Sequence, residues 1–246
     1  SGKVLRDFFA PDFIYSKTTT LAFTYEPGMP MSVFQDEYGN PYLNIYRPPA
    51  WRHEDYYAQN VPVVTEMPEL YKDFLLHLVD NEQESYIYLL KWMANSLRTR
   101  NLSYLVTVGE GGVGKGVLGQ IMRSLHGDKN SIHIEGNQFF DSKFNGDIST
   151  KTFMYADEIS KMNEKTNSKL KMLVNNTIVS ENKNENRKEV KNHLNVMISS
   201  NNLDALELPE DERRYSIISL TRKKLLDHWG SSLDEKVRLM IDDQIL

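Results

Sequence analysis

One stretch limits the folds open to this chain: Leu105-Val106-Thr107-Val108-Gly109-Glu110-Gly111-Gly112-Val113-Gly114-Lys115-Gly116-Val117-Leu118. It reads as a short apolar strand, a glycine-rich turn, a lysine and the start of an amphipathic helix. Gly109 and Gly114-Lys115 satisfy the spacing G-x-x-x-x-G-K. Glycines let the backbone curl until several N–H groups face one anion, and the helix start adds the positive end of its dipole. Lys115 would set a point charge on the outer phosphates of a nucleotide. The candidate cradle spans Gly109, Glu110, Gly111, Gly112, Val113, Gly114, Lys115, Gly116 and Val117. The residue after such a lysine is ordinarily Ser or Thr, whose hydroxyl ligates magnesium. Here it is Gly116, a departure that bears on turnover more than on phosphate binding.

From Leu102 onward, apolar strands alternate with helical patterns, which argues for an α/β domain built on a mostly parallel central sheet. Val117, Leu118, Ile121, Met122 and Leu125 mark the helix after the loop, which stops at Gly127. Ser131–Ile134, Thr152–Ala156, Val196–Ile198 and Ser216–Leu220 read as strands. Leu170–Val174 lies in a helix, and Lys223–Leu246 reads mostly as terminal helix. Upstream, Pro68 to about Arg98 carries a helical period, with Asp80-Asn81 as a candidate cap between two helices. The first 65 residues are rich in aromatics, prolines and β-formers. Thr18–Tyr25 reads as a strand, and Ser32–Phe34 and Tyr42–Tyr46 flank the turn residues Glu37-Tyr38-Gly39-Asn40-Pro41, predicting a hairpin. The expected division is a β-rich region over 1–65, a helical segment over 66–100 and the α/β domain over 101–246.

Composition narrows the function. The chain has no cysteine, so disulfides and cysteine-ligated zinc or iron–sulfur sites are excluded, as suits a cytoplasmic location. Its longest apolar runs, such as Tyr86–Leu90, are far too short to span a bilayer, so no membrane partner is expected. A net charge of -5 means that contact with nucleic acid must come from a local basic patch. The six histidines, His53, His77, His126, His133, His193 and His228, show no metal-ligand spacing. There is no G-x-S-x-G elbow for serine hydrolysis. Asn182-Lys183-Asn184-Glu185 approaches the guanine-reading N-K-x-D, but a glutamate replaces the aspartate that pairs with the base.

Three further stations carry chemistry. Asp157-Glu158 closes an apolar strand; one carboxylate there can hold magnesium and its neighbour can polarise an attacking water, or the two form a solvated acidic pair. Ile198-Ser199-Ser200-Asn201 ends the next strand, where a polar side chain can bond a γ-phosphate or a water, or simply begin a turn. Asp211-Glu212-Arg213-Arg214 precedes the last strand; an arginine there can stabilise a transferred phosphoryl group across a subunit boundary, or pair with its acidic neighbours. Loop lysine, Asp-Glu, Asn and arginine, in that order at strand ends, are the parts expected of an oligomeric nucleoside triphosphatase.

On these residues, Lys72 to Leu220 resembles the superfamily 3 helicases, the AAA+ P-loop NTPases of small DNA viruses, phages and plasmids. It is most similar to the helicase portion of primase–helicase and primase–polymerase proteins. Gly109 to Lys115 matches the family's Walker A loop, and Phe153–Glu158 its Walker B strand. The resemblance implies ATP and Mg2+ as ligands, with Asp157 and Glu158 at the metal and Glu158 as general base. Asn201 is the implied sensor and Arg214 the implied arginine finger, with Arg213 the second candidate. Phe144-Asn145 also has the family's look. A DNA-contacting hairpin is implied with arms at Ile178–Glu181 and Glu189–Lys191, bringing Lys183, Arg187 and Lys188 to phosphates. Single-stranded or forked DNA, a homo-oligomeric ring, a hexamer by resemblance, and a linked primase or polymerase domain are the implied partners. The implied activity is ATP-driven translocation and unwinding. Gly116 motivates an alternative: a nucleotide-bound ring that clamps DNA for a primase or polymerase and hydrolyses little.

Overall fold

The computed structural model describes residues 22–52, 66–136, 146–159, 164–180, 188–201 and 212–241. The chain forms two compact units, 1–47 and 48–246. The positions of Phe144, Asn145, Lys183 and Arg187 lie outside the described residues, as does the start of the strand expected at Thr18.

In the first unit, β1 (Ala22–Thr24) runs parallel to β3 (Pro41–Asn44), and β2 (Val33–Gln35) runs antiparallel to it. The expected hairpin is thus β2–β3. Its turn is held by the Asp36 carboxylate, which accepts the Tyr38 and Asn40 N–H groups at 2.9 and 2.8 Å. Buried Asn44 ties the loop before β2: its amide donates to Glu26, Met29 and Pro30 carbonyls at 3.1–3.2 Å.

The second unit opens with α1 (Glu69–Leu78) and α2 (Gln83–Ser96). Between them Asp80 and Asn81 take φ of +52° and +61°, the left-handed region that Asp and Asn tolerate best. They make the turn, whereas the helix cap expected there falls one residue later. Glu82 accepts the Glu84 and Ser85 N–H groups at 2.9 and 2.6 Å.

The five-stranded sheet has the order β10–β4–β9–β6–β5, from Tyr215–Ser219, Tyr104–Val108, Asn195–Ser200, Phe153–Asp157 and Ser131–Glu135, with every neighbouring pair parallel. Both faces are covered, which is why these strands read as continuous apolar runs and not as alternating ones. Alternate residues feed two cores. Leu105, Phe153, Tyr155, Met197 and Ile218 pack with α1, α2 and α3 (Lys115–His126). Val106, Met154, Ala156, Val196 and Ile198 pack on the other side with Leu170 and Leu173 of α4 (Glu164–Leu173). A separate antiparallel pair, β7 (Thr177–Ser180) and β8 (Lys188–Lys191), stands outside the sheet.

The terminal helix is broken. Gly230, at φ +57°, separates α5 (Leu225–Trp229) from a short 3-10 turn and α6 (Leu233–Ile241). Helix α6 packs on α1 and α3, buries Met240, and is held by the Tyr71 hydroxyl, which donates to the Met240 carbonyl at 2.8 Å. No helix among the described residues is long and apolar enough to cross a membrane.

Candidate functional site

A parallel sheet delivers all its carboxyl ends to one edge, and ligands of open α/β sheets bind there. On this edge β9 lies between β4 and β6. The glycine loop leaves β4, Asp157 ends β6 and is followed by Glu158, and Asn201 is the first residue after β9. Lys115, Gly116, Asp157, Glu158 and Asn201 accordingly line one open cleft of about 610 Å³.

The loop is locked from beneath. Gly109 donates to the Ser200 carbonyl at 3.2 Å, and Leu225 donates to the Gly112 carbonyl at 2.9 Å. Gly112 and Gly114 have φ of +84° and +114°, conformations that favour glycine. A Cβ on Gly114 would also come within 2.9 Å of the Phe74 ring. Gly114 caps α3 with no side chain, so the first N–H groups of the helix carry no side-chain acceptor and suit an anion. The Lys115 ammonium donates to the Gly109 and Glu110 carbonyls at 2.6 and 2.8 Å. Burial lowers its pKa, while the carboxylates of Asp157 and Glu158 oppose that shift. A Cβ on Gly116 would meet nothing within 4 Å, so the missing hydroxymethyl leaves open space in the cleft.

Asp157 is held from the side. Buried Ser199 donates its hydroxyl to one carboxylate oxygen, which the Glu158 N–H reaches at 3.0 Å. The Tyr155 hydroxyl donates to Ser199 at 3.2 Å. His133 stands 4.0 Å from the second oxygen. Glu158 itself sits at φ +52°, strained for a glutamate. The Ile159 N–H then bonds the Ser199 carbonyl at 3.2 Å, closing the sharp turn. Strain of this kind gathers at functional sites.

Arg213 and Arg214 are not brought to this cleft. They precede β10, at the opposite, amino edge of the sheet, where Tyr104 donates to the Arg214 carbonyl at 2.7 Å. Five strand residues, roughly 15 Å, separate the two edges. The Arg214 guanidinium pairs with Glu212, which raises its pKa, and Arg213 is exposed. Lys188 is exposed at the start of β8, opposite Ser180.

The cleft also holds side chains that sequence reasoning did not single out. Gln120 stands one helical turn beyond Gly116, and Asp234 and Arg238 come from α6. Ser199 did carry a signal, as a hydroxyl inside an apolar strand beside an Asp-bearing one; α6 carried none. Among the described residues, no three His, Asp or Glu side chains cluster to hold a metal unaided. Asp157 and Glu158 do suit a cation shared with phosphate oxygens and water, since magnesium needs only one or two carboxylates from the protein.

Residues 107–214 match the family model described as "Family of unknown function (DUF5906)". The chain is 26% identical over 238 residues to the "DNA Primase-polymerase" of Nitratiruptor phage NrS-1, covering 94% of this chain and 31% of that protein. Two apo structures of the NrS-1 C-terminal region superpose with TM-scores of 0.74 and 0.74, at 25% and 26% identity. They cover 91% and 93% of this chain and 53% and 54% of theirs. The chain thus spans about a third of the curated relative and about half of each solved structure. It is similar, in sequence and in its α/β fold, to the C-terminal region of a phage DNA primase-polymerase.

Proposed function

We propose that this chain is the ATP-dependent motor module of a phage replication protein, of the superfamily 3 AAA+ type, working as a ring on single-stranded DNA. The observation that carries the reading is the single cleft shared by the glycine loop, Asp157-Glu158 and Asn201, at the carboxyl edge of a parallel sheet. Similarity to a phage primase-polymerase supports the replication context and a primase or polymerase elsewhere in the parent protein.

In this reading the N–H groups of Gly111 to Lys115 cradle the phosphates, and Lys115 leaves its two carbonyl partners for the β- and γ-phosphates. Asp157, oriented by Ser199, and Glu158 would hold Mg2+, which when bound would neutralise phosphate charge. Glu158 orients and deprotonates the attacking water, and Asn201 holds the water or γ-phosphate from the adjacent strand. Arg214 lies at the sheet edge opposite this subunit's cleft and in this reading serves a neighbour's, exchanging Glu212 for the transferring phosphoryl group across a subunit boundary. Lys188 at the start of β8, together with Lys183 and Arg187 that precede it in the sequence, contacts DNA phosphates.

Gly116 favours a second reading, a nucleotide-bound ring that clamps DNA with little hydrolysis. Phosphate release measured with and without single-stranded DNA separates the two. The motor reading expects DNA-stimulated release that Glu158→Gln abolishes. Intact DNA binding with no release refutes the motor and favours the clamp.

A further inference from the structure

The amino edge of the sheet carries a charged surface of its own, away from the cleft. Arg100 stands just before β4, and its guanidinium reaches the turn between α4 and β7. It donates to the Val174 carbonyl at 2.9 Å and to the Asn176 side-chain oxygen at 2.8 Å. Asn192, directly after β8, ties the same turn from the other strand. Its amide donates to the Leu173 and Asn175 carbonyls at 2.7 and 2.9 Å. The base of the β7–β8 pair is thus fastened from two sides, and the plane of the Arg100 fork is fixed.

Arg100 is half-buried, yet both of its hydrogen-bond partners are neutral. It makes no ion pair among the described residues. Burial lowers its pKa, opposed by the neighbouring Tyr104 hydroxyl. A partly desolvated cation without a counter-ion costs free energy, which an anion from outside offsets. A guanidinium also carries more donors than these two bonds use. Arg98, two residues earlier, and Lys171, on the last turn of α4, are exposed and likewise make no ion pair among the described residues. Two carboxylates lie nearby, and both are engaged: Glu212 with Arg214, and Glu189 with the Thr177 hydroxyl. Arg100 and Arg214 both act on Tyr104, and Lys171 on Glu212, so these cations share one surface.

We propose that Arg98, Arg100 and Lys171 form a second phosphate-contacting surface for single-stranded DNA, at the base of the β7–β8 pair and separate from Lys188. The proposal rests on the DNA-binding reading above and extends it. Arg100 supplies a pre-oriented fork, the geometry that suits phosphate oxygens best, and its ordering cost is already met by the fold. Arg98 and Lys171 add charge beside it. From Lys188 to Lys191, β8 spans roughly 10 Å along this base, so one strand of DNA can touch Lys188 and Arg100 together. In a chain of net charge -5, such a local surface has to supply the attraction that the whole molecule does not.

The test is fluorescence anisotropy of labelled oligothymidine with the full chain over a series of salt concentrations, with folding checked by circular dichroism and assembly by sedimentation. Arg100→Ala should weaken binding roughly tenfold, and Arg98→Ala and Lys171→Ala each roughly two- to fivefold. Each should also flatten the slope of log affinity against log salt by about 0.7, the mark of one lost phosphate contact on a single strand. Lys72→Ala, an exposed lysine of α1, should leave both unchanged. Asn176→Ala separates contact from clamping, because it removes an acceptor of Arg100 and keeps the charge. It should preserve the slope. If Asn176→Ala loses as much as Arg100→Ala while Arg98→Ala and Lys171→Ala bind as the wild type does, Arg100 is a strut and the proposal fails. Losses that appear only through a change in assembly overturn it in favour of a contact between subunits. Normal binding by Lys188→Ala with losses at Arg98, Arg100 and Lys171 removes the Lys188 contact and leaves this surface standing. A wild type that does not bind the strand overturns both.

Discussion

Gly119 joins the fold to the candidate site more tightly than any residue of the glycine loop. It faces Tyr155 of β6 from the middle of α3; a Cβ there would lie 2.4, 2.5 and 2.7 Å from three atoms of the ring. Ordinary contact begins near 3.4 Å, so Gly119→Ala must move ring or helix by about 1 Å. The ring has nowhere to go, being 2% exposed with its hydroxyl bonded to Ser199, which in turn holds Asp157. Overpacking of this kind costs about 1–3 kcal/mol. Loss of the Tyr155–Ser199 bond adds about 1 kcal/mol. The better helix propensity of alanine returns up to about 1 kcal/mol. The net expectation is destabilisation by about 1–3 kcal/mol, a fall in melting midpoint of roughly 3–10 °C for a chain of this size. Thermal unfolding by circular dichroism measures it. In a Tyr155→Val background the same change should cost much less, because the ring it strikes is gone. A Gly119→Ala protein that melts at or above the wild-type temperature, as propensity alone would have it, refutes the packing argument.

Glu158 and His126 offer stability tests, Gly116 and Arg214 functional ones. Glu158→Asn should raise stability by about 1 kcal/mol, since asparagine tolerates the left-handed backbone better, while abolishing any nucleotide hydrolysis; unchanged stability in urea unfolding counts against strain at this turn. His126 is buried between Ser96, Thr152 and the Phe153 ring, and burial lowers its pKa to about 3. The unfolded state thus binds the proton that the native state refuses, and stability present above pH 6.5 is lost as pH falls toward 3. At pH 5 the loss from this group should be about 2 kcal/mol, and His126→Gln should flatten that part of the pH profile. Gly116→Ser meets open space and should bind Mg2+ and ATP together more tightly, seen as a lower Mg2+ midpoint in nucleotide titrations. Arg214→Ala should leave nucleotide affinity within twofold but cut steady-state hydrolysis about a thousandfold, the loss typical of an arginine finger.

Much of this architecture was legible in the sequence because its strands are short and buried on both faces. Thr152–Ala156 and Val196–Ile198 could hardly be anything but strands of a covered sheet, and Gly109 to Lys115 fixed a strand–turn–helix unit. Strand order was a different matter. That β9 lies between β4 and β6 follows from pairing between distant residues, such as Val106 with Ile198 and Ala156 with Ile198, and local pattern carries no such information. It is this order that sets Asn201 beside Asp157 and the loop. Caps and breaks were legible only approximately: the α2 cap belongs to Glu82, and Gly230 breaks a stretch whose apolar period continues across it. Asp234 and Arg238 resemble any charged pair on an amphipathic helix until α6 is docked. Only packing on α1 and α3 turns them toward the loop.

The central claim, that the cleft at the carboxyl edge of the sheet is a nucleoside triphosphate site, is tested most directly by calorimetric titration of ATP and Mg2+ into the wild-type chain and Lys115→Ala. Saturable binding by the wild type, at least tenfold weaker in a folded Lys115→Ala, is the result expected when one buried charge contact is removed. Binding that ignores Lys115, or no binding by the wild type at millimolar ATP, would contradict it.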